Sequence, residues 1–414
     1  MTRPRNVAIV ASLLFLAAGI PLTVFGLPMY VGPIVAAILI AVGIAFRLAQ
    51  ILLLGEKTTR WELGMCIYVG YCIAVSLFSN TVLYPQSWDG WVPALYVLMP
   101  LLVILPFTML DVAFIDGIDA IVLVAIAGSL LVIVDHIYPL AFLDQYRRVA
   151  VADPDLRRIV LVKTEMAFAF VVSFARLLDR RKTLTAVFRY AGSMIVIGFA
   201  LFVISEGRLP ISATVIGCAI YIVFFIHGKR KLAIVPIISV LMVIIAPLAL
   251  EKYIDYVIAI GDLRQNDPSV SYRMTEYGYL KVLFDQTSGV GFGIMSQGGD
   301  HNTLLSFAAH YGGYLSGAGR LPVELADIGL FAALFQFGYL GFILVVCLTI
   351  TVIRTLWKIS RKGGPHPYKT EIGALAAVTI AFLISPLPMN FFSLDWTVQY
   401  GGLLWFLSSR AATK

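Results

Sequence analysis

Charge is what this chain has least of: 13% of its 414 residues are Asp, Glu, Lys or Arg, against 60% apolar. A soluble domain is about one quarter charged, so an ordinary water-soluble enzyme is excluded, and a disordered chain with it. Cysteine is almost as scarce. Cys66, Cys72, Cys218 and Cys347 each fall inside an apolar run, which leaves neither a disulfide framework nor a metal site. The alternating ten-residue segments of an outer-membrane barrel are missing, and so are the HExxH and GxSxG patterns of zinc and serine hydrolases. What recurs instead is the uncharged run of about 20 residues, enough to cross a bilayer as a helix. The mean hydropathy is +0.89. The composition predicts an all-α, polytopic membrane protein.

Hydropathy suggests twelve spans, at about 7–27, 30–54, 63–84, 91–112, 118–136, 159–177, 185–205, 209–228, 232–250, 326–351, 370–388 and 396–409. The basic start followed by an apolar run to Leu27 has no convincing cleavage site, so it reads as a retained first helix. Placing the amino terminus in the cytoplasm puts Arg3, Arg5, Lys57, Arg60, Arg180–Lys182, Lys229–Lys231, Arg361, Lys362, Arg410 and Lys414 on the inside. This is the positive-inside pattern, with both termini cytoplasmic. The formal charge of +7 therefore reports orientation and implies no nucleic-acid partner.

Eleven of the 31 cations break the pattern, lying on the outer side or at its edge, and ten of them cluster in two groups. Arg147, Arg148, Arg157, Arg158 and Lys163 lie in the connection 137–158 and at the start of the next helix. Lys252, Arg264, Arg273, Lys281 and Arg320 lie in 251–325, the one outer segment long enough to form a subdomain. The domain plan is thus nine spans in 1–250, an outer loop subdomain in 251–325, and three spans in 326–414. Outer loop charge is often merely solvated, yet arginine forks also match phosphate oxygens. Lys163 and Glu165 sit just inside a span, where charge is costly; pairing with one another near the interface and a role in a site both remain open.

Within the long segment, Ser271–Phe284 places Arg273, Tyr277, Leu280 and Phe284 on one helical face, as in an amphipathic helix lying at the membrane interface. Arg273 also stands one turn from Glu276, a pair worth only tenths of a kcal/mol on a helix surface. Gly289-Val-Gly291-Phe-Gly293 follows, with no strand ahead of it, which excludes a dinucleotide fingerprint and suggests a close-packed backbone. Then come His301 and Asn302; the latter suits a helix cap as well as a ligand contact.

In order and placement these features resemble the O-antigen ligase and O-antigen polymerase superfamily of bacterial envelope proteins. The resemblance rests on Ser271-Tyr-Arg273, Gly291-Phe-Gly293, His301-Asn302 and Gly338-Tyr-Leu-Gly341, and is sharp over about residues 270–345. The chain departs from the family where Gly312-Gly-Tyr-Leu315, at the usual spacing, lacks the last glycine. The full Gly-x-x-Gly lies further on, beyond Arg320 and Asp327.

The resemblance implies a C-type membrane glycosyltransferase of the bacterial inner membrane, with no metal or cofactor. Its donor would be an oligosaccharide on undecaprenyl diphosphate at the outer leaflet. Its acceptor would be another lipid-linked repeat unit for a polymerase, or the glycolipid lipid A–core for a ligase. A chain-length regulator and membrane lipids are the remaining expected partners. The residues expected to act are Arg273, His301 and Glu276, with Arg147, Arg148, Arg157, Arg158, Lys163, Asn302 and Arg320 around the diphosphate. The displaced Gly-x-x-Gly and the Asp327 segment favour the polymerase. A secondary transporter shares the twelve-span layout, but its usual internal repeats and mid-chain inner loop are not evident. A membrane scaffold leaves the outer cations unexplained.

Overall fold

The computed structural model describes residues 3–28, 31–85, 88–150, 153–159, 161–179, 183–204, 208–226, 268–294, 306–308, 320–322, 330–361, 366–384 and 401–412. It is a helical membrane protein. Among the described residues, five helical stretches are long and apolar enough to cross a bilayer: Val31–Leu54, Arg60–Leu83, Phe114–Ile137, Leu184–Ile204 and Ala332–Arg361. Phe46, Leu52, Leu53, Ile67, Phe188 and Ile195 on these helices are exposed, a surface suited to lipid rather than water. The expected span 232–250 lies outside the described residues, as does most of 385–401.

The helices are α1 (Pro4–Ala17), α2 (Ile20–Val24), α3 (Val31–Leu54), α4 (Arg60–Phe78), α5 (Trp88–Ala94), α6 (Ile104–Met109), α7 (Phe114–Ile137) and α8 (Lys163–Leu177). They continue as α9 (Leu184–Gly198), α10 (Arg208–Phe225), α11 (Pro268–Gln286), α12 (Leu330–Arg361), α13 (Lys369–Ile384) and α14 (Gly402–Ala412). The expected first span is not one helix. Gly19 adopts a left-handed conformation (φ 78°) and Pro21 opens the short α2, because proline cannot continue the preceding hydrogen-bond ladder. The fourth span is likewise composite. With prolines at 93, 100 and 106, the 3-10 segment Leu95–Val103 joins α5 to α6.

The connection expected as a plain loop at 137–158 contains a 3-10 turn, Ala141–Tyr146, and the antiparallel strands β1 (Arg147–Ala150) and β2 (Asp153–Ile159). The sixth helix therefore starts at Lys163 and not at 159. A second short pair joins β3 (Ser306–Ala308) to β4 (Arg320–Pro322).

One end of the bundle is tied by ions. Arg47 donates from Nε to Glu62 Oε1 (3.0 Å) and from Nη1 to Glu56. Glu62 also completes a capping box with Thr59, accepting from its amide at 2.7 Å. At the start of α7, Asp116 accepts from the Arg3 amide (2.9 Å) and from Asn6 Nδ2 (3.2 Å), while Asp111 pairs with Arg3 at 2.9 Å. Arg176, at the end of α8, meets Asp119 of α7 at 2.7 Å and Glu371 of α13 at 3.0 Å. An edge-on contact between Trp61 and Trp405 (6.0 Å) joins the Arg47 group to α14, whose Arg410 returns to Asp111 at 3.8 Å.

Candidate functional site at the opposite end

Ser76 lies fourteen residues after Glu62 on α4, about 21 Å away along the helix axis. Around it, three interrupted elements meet. α4 continues into a π-helical turn, Ser79–Leu83, a distortion found often at functional positions. α12 is broken at Gly338, which has φ 70° and ψ −175°. The loop 289–293, with φ of 81°, 94° and 69° at its three glycines, lies against that break.

The break exposes backbone groups, and the loop satisfies them. The amides of Phe292 and Gly293 donate to the carbonyls of Phe335 (3.0 Å) and Gln336 (2.6 Å), and the Tyr339 amide donates to the Gly289 carbonyl (3.1 Å). Non-helical backbone at membrane depth persists only where protein or a lined cavity satisfies it in this way. A Cβ on Gly291 would stand 2.5 Å from the Gln336 carbonyl oxygen, and one on Gly293 2.5 Å from Ser76 Cα. The two glycine motifs flagged in the sequence are therefore packed against each other. The more distant Gly338-Tyr-Leu-Gly341 is the partner; Gly312–Leu315 lies outside the described residues.

Four further side chains, with no signal in the sequence reading, hold this junction. The Tyr71 hydroxyl donates to the Phe337 carbonyl (3.0 Å). Ser76 Oγ accepts from the Ile294 amide (2.9 Å), and Trp91 Nε1 donates to the Ile294 carbonyl (3.1 Å). The Tyr84 hydroxyl lies 3.0 Å from the Leu283 carbonyl and from Gln286 Oε1. Two buried polar atoms here, Ser79 Oγ and Gln336 Oε1, have no hydrogen-bond partner among the described residues. Polar groups at membrane depth are costly and mark functional positions.

A helix is present over the expected stretch as α11, with Arg273 and Glu276 one turn apart on it, but its apolar residues are not gathered on one face. Several of them are not given up to lipid. Leu280, Leu283 and Phe284 are buried with Phe292, Ala332 and Phe335 in a cluster separate from the main core.

The basic hairpin belongs to this end as well. α7 begins in the ion network and runs away from it, so the strands that follow Ile137 emerge at the junction end. The Tyr146 hydroxyl fixes the turn there by donating to the carbonyl of Ala18 at the far end of α1 (2.7 Å). Burial raises the pKa of this phenol above its usual value, which keeps the donor proton in place. The strand register sets Arg148 directly opposite Arg158 and Val149 opposite Arg157, with Arg147 opposite Ile159. Lys163, half-buried, opens α8, and Glu165 is buried behind it. Arg320 begins β4, paired with Ala308. His301 and Asn302 lie outside the described residues. No family model matches the chain, and no curated protein matches it significantly.

Proposed function

We propose that this protein is a glycosyltransferase that polymerises oligosaccharide repeat units carried on undecaprenyl diphosphate, at the outer face of the bacterial inner membrane. The topology that goes with this reading has twelve spans, the ion-tied end in the cytoplasm and the glycine junction outside. The observation that carries it is the seating of Gly289–Gly293 on the Gly338 break. That contact unites, beside the Arg273-bearing helix, two motifs the family pattern also sets in this order. It favours the polymerase variant, whose Gly-x-x-Gly is the displaced one.

The chemistry asks little of a metal. An acceptor hydroxyl attacks the anomeric carbon, a new glycosidic C–O bond forms, and the bond to the lipid diphosphate breaks. Negative charge grows on the departing diphosphate, and fixed guanidinium groups stabilise it. Arg273 takes this role, with the opposed Arg148 and Arg158 binding the same group, Arg147, Arg157, Lys163 and Arg320 adding positive potential, and Asn302 contacting the ligand. His301, with an ordinary pKa near 6.5, accepts the hydroxyl proton. Glu276, one turn from Arg273, orients it.

Arg273→Ala and His301→Ala, each at wild-type abundance, are expected to lower chain extension by about 10² to 10³. The assay is glycan length in proteoliposomes supplied with the lipid-linked repeat unit. Normal ladders from both variants would remove the site, and label transferred to lipid A–core in place of longer lipid-linked chains would make the enzyme a ligase.

A further inference from the structure

The cluster of Leu280, Leu283, Phe284, Phe292, Ala332 and Phe335 makes α11, the glycine loop and the first turns of α12 one small body with its own core. That body meets the main bundle through Ile294, Ala333 and Phe337, which are buried in the main core, and through a short set of hydrogen bonds. Apart from the Tyr339 amide, the groups contributed by the bundle are side chains: the hydroxyls of Tyr71, Ser76 and Tyr84 and the indole of Trp91. Each is directed at a backbone group of the body or of the broken helix, and the Tyr84 hydroxyl also lies 3.0 Å from Gln286 Oε1. Trp91 is itself set by an edge-on contact with Trp88, at 5.3 Å.

We infer that Tyr71, Ser76, Tyr84 and Trp91 are positioning residues, which dock the α11 body on the bundle and thereby place Arg273. This rests on the role given to Arg273 above. Leverage is the physical reason. Arg273 lies ten residues before Leu283, about 15 Å along the helix, so a tilt of about 10° at the docked end displaces it by roughly 2.6 Å. A misplacement of about 1 Å costs on the order of 10²-fold in a reaction that depends on orientation.

The test uses the full chain in nanodiscs, as Trp91→Phe and Tyr84→Phe, which keep the rings and remove one donor each. Amide hydrogen exchange is expected to quicken about five- to tenfold per lost bond, and to do so together across 276–294 and 330–337, with α4, α7 and the far half of α12 unchanged. Turnover of the lipid-linked repeat unit should fall in kcat with KM near wild type, because Arg273 acts on charge that develops in the transition state. Faster exchange confined to 290–294, faster exchange throughout the bundle, or unchanged exchange would each overturn the inference, whatever the activity. If Arg273→Ala keeps full turnover, the reaction assigned to Arg273 falls, and the exchange pattern still decides whether these four residues dock the body.

Discussion

Alanine at Gly338 is expected to destabilise the protein by about 2 to 6 kcal/mol. Two costs combine. The backbone there has φ 70° and ψ −175°, a region essentially closed to residues with a Cβ, which costs on the order of 1–3 kcal/mol. The added carbon would also stand 2.3 Å from the Val290 carbonyl oxygen and 2.4 Å from that of Gly289. Both obstacles are backbone and cannot rotate aside, and overpacking of this kind adds about 1–3 kcal/mol. Gly278, on the exposed side of α11, is the control. A Cβ there meets nothing within 4 Å, so Gly278→Ala is expected to stabilise by about 0.5–1 kcal/mol through helix propensity alone. Thermal unfolding in detergent measures both, and a Gly338→Ala protein as stable as wild type would contradict the loop-on-break packing.

The sequence disclosed what depends on local pattern and concealed what depends on distant partners. Membrane character follows from run length and missing charge. The helix around Ser271–Phe284 follows from three-or-four spacing, and the tight backbone at 289–293 follows from glycine itself. The breaks at Gly19–Pro21 and across Leu95–Val103 had visible causes in glycine and proline, but average hydropathy passed over them. The hairpin at 147–159 was masked by its own arginines, which drew attention to charge and away from the alternation and the Asp153-Pro154 pair. The docking of 289–293 on Gly338 could not be read at all, since no periodicity links residues about 45 apart. The same holds for Tyr71, Ser76, Tyr84 and Trp91, ordinary residues in apolar runs whose partners lie some 200 or more positions away. The Thr59–Glu62 capping box, by contrast, has a spacing that was open to view.

Arg176→Met is expected to be as damaging at the other end. The guanidinium is buried, bridges Asp119 and Glu371 at 2.7 and 3.0 Å, and lies over the Tyr190 ring at 5.6 Å. It thus joins α7, α8, α9 and α13 through one side chain. Methionine fills much of the same volume and leaves two carboxylates facing each other without a cation, Glu371 almost wholly buried. Removing one partner of such a group costs about 3–5 kcal/mol, whereas replacing the whole group by neutral residues is often close to neutral. Arg176→Met combined with Asp119→Asn and Glu371→Gln should therefore recover most of the lost unfolding temperature. A triple variant no better than the single one would mean that packing, not charge, holds this end. The two ends should also fail independently. Arg176→Met is expected to lower stability while leaving the relative exchange of 276–294 and 330–337 at wild-type proportions, the reverse of Trp91→Phe. Helices tied by ions at one end and by backbone-directed hydroxyls and an indole at the other can keep one end firm while the other loosens.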